Sequence, residues 1–155
     1  MTRKWVAVAA GCCAMGVLMG AAPAGRQARE GDLRVERLDP DPAPAGGLTV
    51  VHAFVYNSGQ ELVASAFTVT VTLPVGTQPQ EPYFPKNCQT AMAAAPVVRC
   101  SFPAGLRAGQ SATATVPVRL CPDVQGVLVG SVRVESVGDP NPSNDVKRFD
   151  IVVSG

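Results

Sequence analysis

Ala66-Phe67-Thr68-Val69-Thr70-Val71-Thr72-Leu73 alternates apolar and hydroxyl-bearing side chains at every second position. A strand turns successive side chains to opposite faces, so this rhythm predicts Phe67, Val69, Val71 and Leu73 inside and Thr68, Thr70 and Thr72 outside. Branched valine and threonine suit such a half-buried pleated surface. The same period returns downstream, where Ala112, Ala114, Val116, Val118 and Leu120 alternate with Thr113, Thr115 and Arg119. Pro117 falls on the polar side of that run and predicts an edge strand, because proline cannot donate to a ladder. Leu128, Val132 and Val134 against Ser131, Arg133 and Glu135 predict another strand, and Phe149, Ile151 and Val153 against Arg148 and Asp150 predict the last.

Upstream, Leu33 and Val35 mark a short first strand. Residues 39–44 place proline at every second position, so this segment is expected to run extended without donating ladder bonds. Gly46-Gly47 turns the chain into residues 48–56, an almost wholly apolar run that predicts a central strand covered on both faces. Asn57-Ser58-Gly59 closes it with residues that tolerate positive φ. Pro74, Pro79, Pro82, Pro85 and Gly76 make residues 74–85 a long loop, and Val97 opens a strand that reaches Phe102. The sum is about seven strands and no long helix, which predicts an all-β, Ig-like antiparallel β-sandwich over residues 32–155.

Ahead of it, Arg3 and Lys4 precede an apolar stretch that ends at Ala22-Pro23-Ala24, the pattern of a signal peptide over residues 1–24, with 25–31 a flexible lead-in. Ala9-Ala10-Gly11-Cys12 offers lipid attachment at Cys12 as an alternative to cleavage near Ala24. Glycines and alanines dilute the stretch too much for a spanning helix, so no transmembrane span is expected in the mature chain. Removing Arg3 and Lys4 from the 13 basic residues leaves 11 against 12 acidic ones, with no Lys or Arg run. That balance excludes a nucleic-acid partner and leaves an extracellular protein or an envelope component.

Several of these features follow one another in a fixed order. Gly46-Gly47 precedes an apolar strand and Asn57-Ser58-Gly59 follows it. Leu73-Pro74-Val75-Gly76, Cys88, Cys100, Leu106-Arg107-Ala108-Gly109-Gln110 and Asp139-Pro140-Asn141-Pro142-Ser143-Asn144 come after. Together they resemble the "domain of unknown function 11" family of Ig-like repeats in bacterial surface and secreted proteins, over about residues 32–153. The resemblance implies a sandwich of about seven strands with a structural or adhesive role and no enzymatic activity. The chain differs from that pattern in being a single copy, in carrying no wall-sorting tail after Ser154-Gly155, and in the extra Cys121.

The groups that carry chemistry are few. Cys88 and Cys100 close a ring of about 13 residues, for which a structural disulfide is expected to add about 3 kcal/mol. They lack the Cys-x-x-Cys spacing of a redox pair. Cys121 is left over as a buried thiol, an intermolecular bridge, or a metal or thiol ligand. His52 is the only histidine, too few for a catalytic zinc, and no Gly-x-Ser-x-Gly elbow accompanies it, so it is expected to pack or hydrogen-bond inside its strand. Glu61, Glu81, Asp123 and Glu135 are scattered, which argues against paired carboxylates in a glycosidase cleft. No catalytic residue and no cofactor is assigned. Asp139, Asn141, Asn144 and Asp145 form an oxygen-rich turn that is a weak calcium candidate, since Ca²⁺ takes about six to eight oxygens. Turn residues would look the same. Tyr83 and Phe84, between Pro82 and Pro85, either anchor a partner or fold back to cap the sandwich. The functional expectation is a non-enzymatic secreted or cell-envelope module, structural or adhesive, with an accessory subunit of another secreted protein as the alternative.

Overall fold

Every regular element in the computed structural model, which describes residues 31–92 and 95–155, is a strand. In chain order they are β1 (Leu33–Glu36), β2 (Ala43–Pro44), β3 (Leu48–Asn57), β4 (Phe67–Thr72), β5 (Thr77–Pro79), β6 (Gln89–Met92), β7 (Pro96–Phe102), β8 (Ser111–Leu120), β9 (Val127–Ser136) and β10 (Val146–Ser154). They assemble into a four-stranded sheet, β1-β3-β8-β5, facing a six-stranded sheet, β2-β10-β9-β4-β7-β6. This is an Ig-like β-sandwich. The expected signal peptide, Cys12 and residues 25–30 lie outside the described residues.

Period-two alternation builds the core from both sheets. Val51, Ala53 and Val55 of β3 and Ala114, Val116, Val118 and Leu120 of β8 face Val69 and Val71 of β4, Val132 and Val134 of β9, and Phe149 and Ile151 of β10. Burying a side chain of this size stabilises the fold by about 1.5–3 kcal/mol. Phe149 lies opposite Gly130 in the β9–β10 ladder, and a Cβ there would come within 2.2 Å of the ring. Glycine is required because ring and backbone approach so closely.

The seven expected strands are β1, β3, β4, β7, β8, β9 and β10, and three short ones join them. The segment read as one long loop contains β5, whose Thr77 and Pro79 pair with Leu120 and Val118. The extended proline segment ends in β2, which pairs in parallel with Val153 and Ser154 of β10, so the sandwich is not wholly antiparallel. Chains of two to four residues carry too little periodicity to be seen in sequence.

Three local expectations also change. β8 is not an edge strand, since it lies between β3 and β5. The Pro117 carbonyl accepts from the Gln80 amide at 2.8 Å, and in an antiparallel ladder both polar groups of a residue point the same way. Its missing donor therefore faces the irregular chain after β5. β3 is central, as expected, but buried on one face only. Asn57 serves the turn through its side chain rather than through φ: its amide donates to the carbonyls of Glu61 and Leu106, both at 2.9 Å, and its Oδ1 accepts from Gly59.

Candidate functional site

Since Val51, Ala53 and Val55 point inward, Leu48, Val50, His52, Phe54 and Tyr56 must point out. Across the ladder they meet Arg119, Pro117, Thr115, Thr113 and Ser111 of β8, while Arg34 and Glu36 of β1 flank Tyr56 and Phe54 on the other side. An apolar stripe therefore runs along the outside of the four-stranded sheet. Leu48 is 56% exposed, and Val50, Phe54 and Tyr56 are half-buried. The stripe ends in charge, where Arg34 pairs with Glu36 at 2.6 Å and stands 5.1 Å from the centre of the Tyr56 ring.

His52 is exposed on this face, not packed in the interior. The misreading has a simple cause: residues 48–56 are apolar at both parities, so only the register shows which face is covered. Beyond β1 the chain passes alongside, and Leu38, Asp39, Pro40 and Asp41 with Leu48, Thr49, Val50 and His52 enclose a shallow groove of about 380 Å³. Thr49 Oγ1 donates to the Asp41 carbonyl at 2.7 Å and holds the two walls together. Asp39 accepts from the Asp150 amide and from Arg37, which hold its carboxyl below the usual carboxylate range.

After β5 the chain crosses toward β6, and the two aromatic residues on the way separate. Phe84 exchanges main-chain hydrogen bonds with Thr115, at 3.1 and 2.7 Å, and so is held like one extra residue of strand beside β8. Its side chain shares the outward row of Thr115 and His52 and is 62% exposed. Tyr83 is half-buried against the core, and its hydroxyl pairs with Thr90 Oγ1 at 2.8 Å. The pair therefore divides, with Tyr83 folded back against the core and Phe84 left exposed.

Cys88 and Cys100 form the expected disulfide. They stand directly across from each other in the continued β6–β7 register, in which Gln89 faces Arg99. Cys121 is half-exposed rather than buried. It continues the outward row of β8, and main-chain bonds with Gly46 and Gly76 place a glycine on either side.

The Asp139 to Asp145 turn closes the open edge of β1. Asp139 accepts from the amides of Leu33 and Asn141, each at 2.9 Å, and the Asn144 carbonyl accepts from Val35. Asn144 Nδ2 and Ser58 Oγ both donate to Asp32. Asp145 is only 9% exposed, and burial together with the charges of Asp139 and Asp32 pushes its pKa up to about 6. Glu61, Glu81, Asp123 and Glu135 are exposed and are not brought together. Among the described residues no three His, Cys, Asp or Glu side chains are grouped to share a metal ion, and no helix is long and apolar enough to cross a membrane.

No protein-family model and no curated protein sequence matches the chain. Solved structures do. The fold is similar to the CARDB domain of a Pyrococcus furiosus protein in complex with di-metal ions, at 18% identity over 81% of this chain and 94% of that one, TM-score 0.55. It is similar to the third cohesin ScaC of Acetivibrio cellulolyticus in complex with the ScaB dockerin, at 10% identity over 78% and 99%, TM-score 0.51. It is also similar to the collagen-binding domain of a Staphylococcus aureus adhesin, at 9% identity over 74% and 95%, TM-score 0.50. At these identities the likeness is one of fold, the Ig-like β-sandwich.

Proposed function

We propose that this chain is a non-enzymatic binding module of the cell exterior or envelope, which takes a protein partner on the outside of its four-stranded sheet. One observation carries the reading: Phe84, fixed to Thr115 by two main-chain bonds, extends an outward stripe that already holds Leu48, Val50 and Phe54. Exposed apolar residues gathered on one face serve contact rather than folding. The similar sandwiches of the cohesin and the adhesin bind dockerin and collagen, which supports a protein ligand. A disulfide belongs to an oxidising compartment and supports export, as does the basic and apolar start of the chain. The order of turn motifs supports kinship with the "domain of unknown function 11" repeats.

The alternative of an accessory subunit draws on Cys121, whose half-exposed thiol ends the same outward row. The test is comparative binding of purified wild type, Phe84→Ala and Thr68→Ala to immobilised proteins of the culture supernatant and envelope. The expected result is at least tenfold weaker capture for Phe84→Ala and none lost for Thr68→Ala on the opposite face. Equal capture by all three would remove the proposal, and a mixed disulfide through Cys121 on a non-reducing gel would favour the accessory subunit.

A further inference from the structure

The outermost strands of the two sheets are β1, β5, β2 and β6, and the outer side of such a strand offers main-chain donors and acceptors to any other strand. Three of the four are guarded. The Leu33 and Val35 amides of β1 are taken by Asp139 and Asn144. β2 holds Pro44, and β5 ends in Pro79, which stands opposite Val118 and therefore lacks the amide that would point away from β8. β6, Gln89–Met92, has neither proline nor charge, and among the described residues no strand lies on its outer side. Register shows which of its groups are bare. The Pro96 carbonyl accepts from Leu73, so Pro96 and Val98 of β7 turn their polar groups to β4, while Val97 and Arg99 turn theirs to β6. Ala91 and Gln89 stand opposite those two and bond to them. The main-chain N–H and C=O of Thr90 and Met92 therefore point out of the sheet, with no backbone partner among the described residues.

We infer that this edge takes a second copy of the chain, whose own β6 pairs with it antiparallel across a two-fold axis at Thr90. The occupant is a second copy because the edge complements itself. Thr90 meets its counterpart and exchanges both main-chain bonds with it, Gln89 meets Ala91, and no charge faces a like charge. Threonine opposite threonine is a favourable pair across antiparallel strands. Thr90 is exposed, and its hydroxyl is already steadied by Tyr83 at 2.8 Å. The Cys88–Cys100 disulfide ties the start of β6 to β7, so the strand is extended before its partner arrives and little ordering is needed. The contact is small and polar, which sets a weak dimer with Kd on the order of 100 µM. Pairing joins the two six-stranded sheets edge to edge and uses no residue of β3, so the apolar stripe of each copy stays bare. The pair then carries two like faces, whatever those faces bind.

Sedimentation velocity of the whole chain at concentrations from about 10 µM to about 1 mM tests this, with Cys121→Ser throughout so that no intermolecular disulfide contributes. A reversible monomer–dimer equilibrium is expected. Thr90→Pro deletes the outward amide, which the ladder with β7 does not use, and is expected to weaken the dimer at least tenfold. Gln89→Lys with Ala91→Lys sets lysine against lysine twice across the axis, on side chains that are exposed in the single chain. That pair is expected to weaken the dimer at least tenfold at unchanged Tm, and less so in high salt. Should Thr90→Pro not fold, the lysine pair decides alone. A chain that stays monomeric up to about 1 mM overturns the inference. So does self-association that the lysine pair leaves unchanged, and its loss in Phe84→Ala would then place the contact on the outside of the four-stranded sheet.

Discussion

Outside the six-stranded sheet, Thr68, Thr70 and Thr72 of β4 stand between Ser101, Arg99 and Val97 of β7 and Glu135, Arg133 and Ser131 of β9. Outside the four-stranded sheet, the corresponding central strand presents Leu48, Val50, His52, Phe54 and Tyr56. The inward faces are alike in being apolar, with valine, alanine and leucine on the four-stranded sheet and valine, phenylalanine and isoleucine on the six-stranded one. The threonine face is polar, flanked by serine and charged side chains, and needs no partner. The apolar face is a different matter, because nothing in the folding of this chain calls for it. The six-stranded sheet has an apolar spot of its own, Val127, Val129 and Val152 where β9 meets β10, but among the described residues no isolated strand-like bridge such as that of Phe84 with Thr115 lies beside it.

The sharpest way to break this comparison uses two neighbouring valines of β3. Val51 is fully buried and Val50 lies on the outward face. Val51→Asp places an unpaired charge in the core and is expected to abolish cooperative unfolding, a loss above about 4 kcal/mol. Val50→Asp is expected to cost no more than about 1 kcal/mol and to weaken partner capture. Circular dichroism melts of the two variants decide it, and similar losses in both would mean that β3 is covered on each side after all.

Removing the disulfide comes next. Cys88→Ser with Cys100→Ser frees the start of β6 from β7 and is expected to lower stability by about 3 kcal/mol, measured by urea unfolding. The loss falls on the polar sheet, so Phe84, held by β8, should keep its main-chain bonds and the binding face should survive at low temperature. Capture lost in parallel with β6 would show that the two faces are not independent.

How far the sequence reveals this arrangement depends on contrast between neighbours. β4 and β8 are legible because threonine alternates with valine or alanine, and once an export signal is assumed the three remaining cysteines allow one bridge, for which Cys88 and Cys100 close a short ring. β3 is not, because Leu48, Val50 and Phe54 are as apolar as Val51, Ala53 and Val55, and the difference between covered and bare lies in register alone. The division of Tyr83 from Phe84 is hidden for a related reason. Neither aromatic belongs to a run with a period, and what separates them is one pair of main-chain bonds to Thr115. The Asp139 turn shows its oxygen content plainly, whereas its task of closing the β1 edge depends on a contact across more than 100 residues.

Asp145 offers a smaller effect with a definite sign. Its pKa rises from 3.8 in the unfolded chain to about 6 in the fold, chiefly through burial and then through Asp139 and Asp32. A raised carboxyl favours the protonated fold, so this group's contribution is fully present below about pH 4 and is lost as pH rises through 6. The wild type is expected to lose on the order of 2 kcal/mol from this group between those limits. Asp145→Asn should flatten that slope and be the more stable form at pH 7. Parallel slopes in the two proteins, measured by chemical unfolding across pH 4–7, would remove Asp145 as the cause.

The smallest expected change in stability is the most informative about the binding face. Phe84→Ala removes an exposed ring but leaves the bonds between its backbone and Thr115, so stability should stay within about 0.5 kcal/mol of wild type. Tyr83→Ala removes a half-buried ring and its hydrogen bond to Thr90, and should cost about 1–2 kcal/mol. If the two aromatics divide as their surroundings dictate, Phe84→Ala loses capture at unchanged Tm, while Tyr83→Ala lowers Tm and keeps capture in proportion to the folded fraction. The reverse pattern would move the contact surface from the outward row of β8 to the seam between the sheets, where an exposed apolar stripe along β3 would have no part in binding.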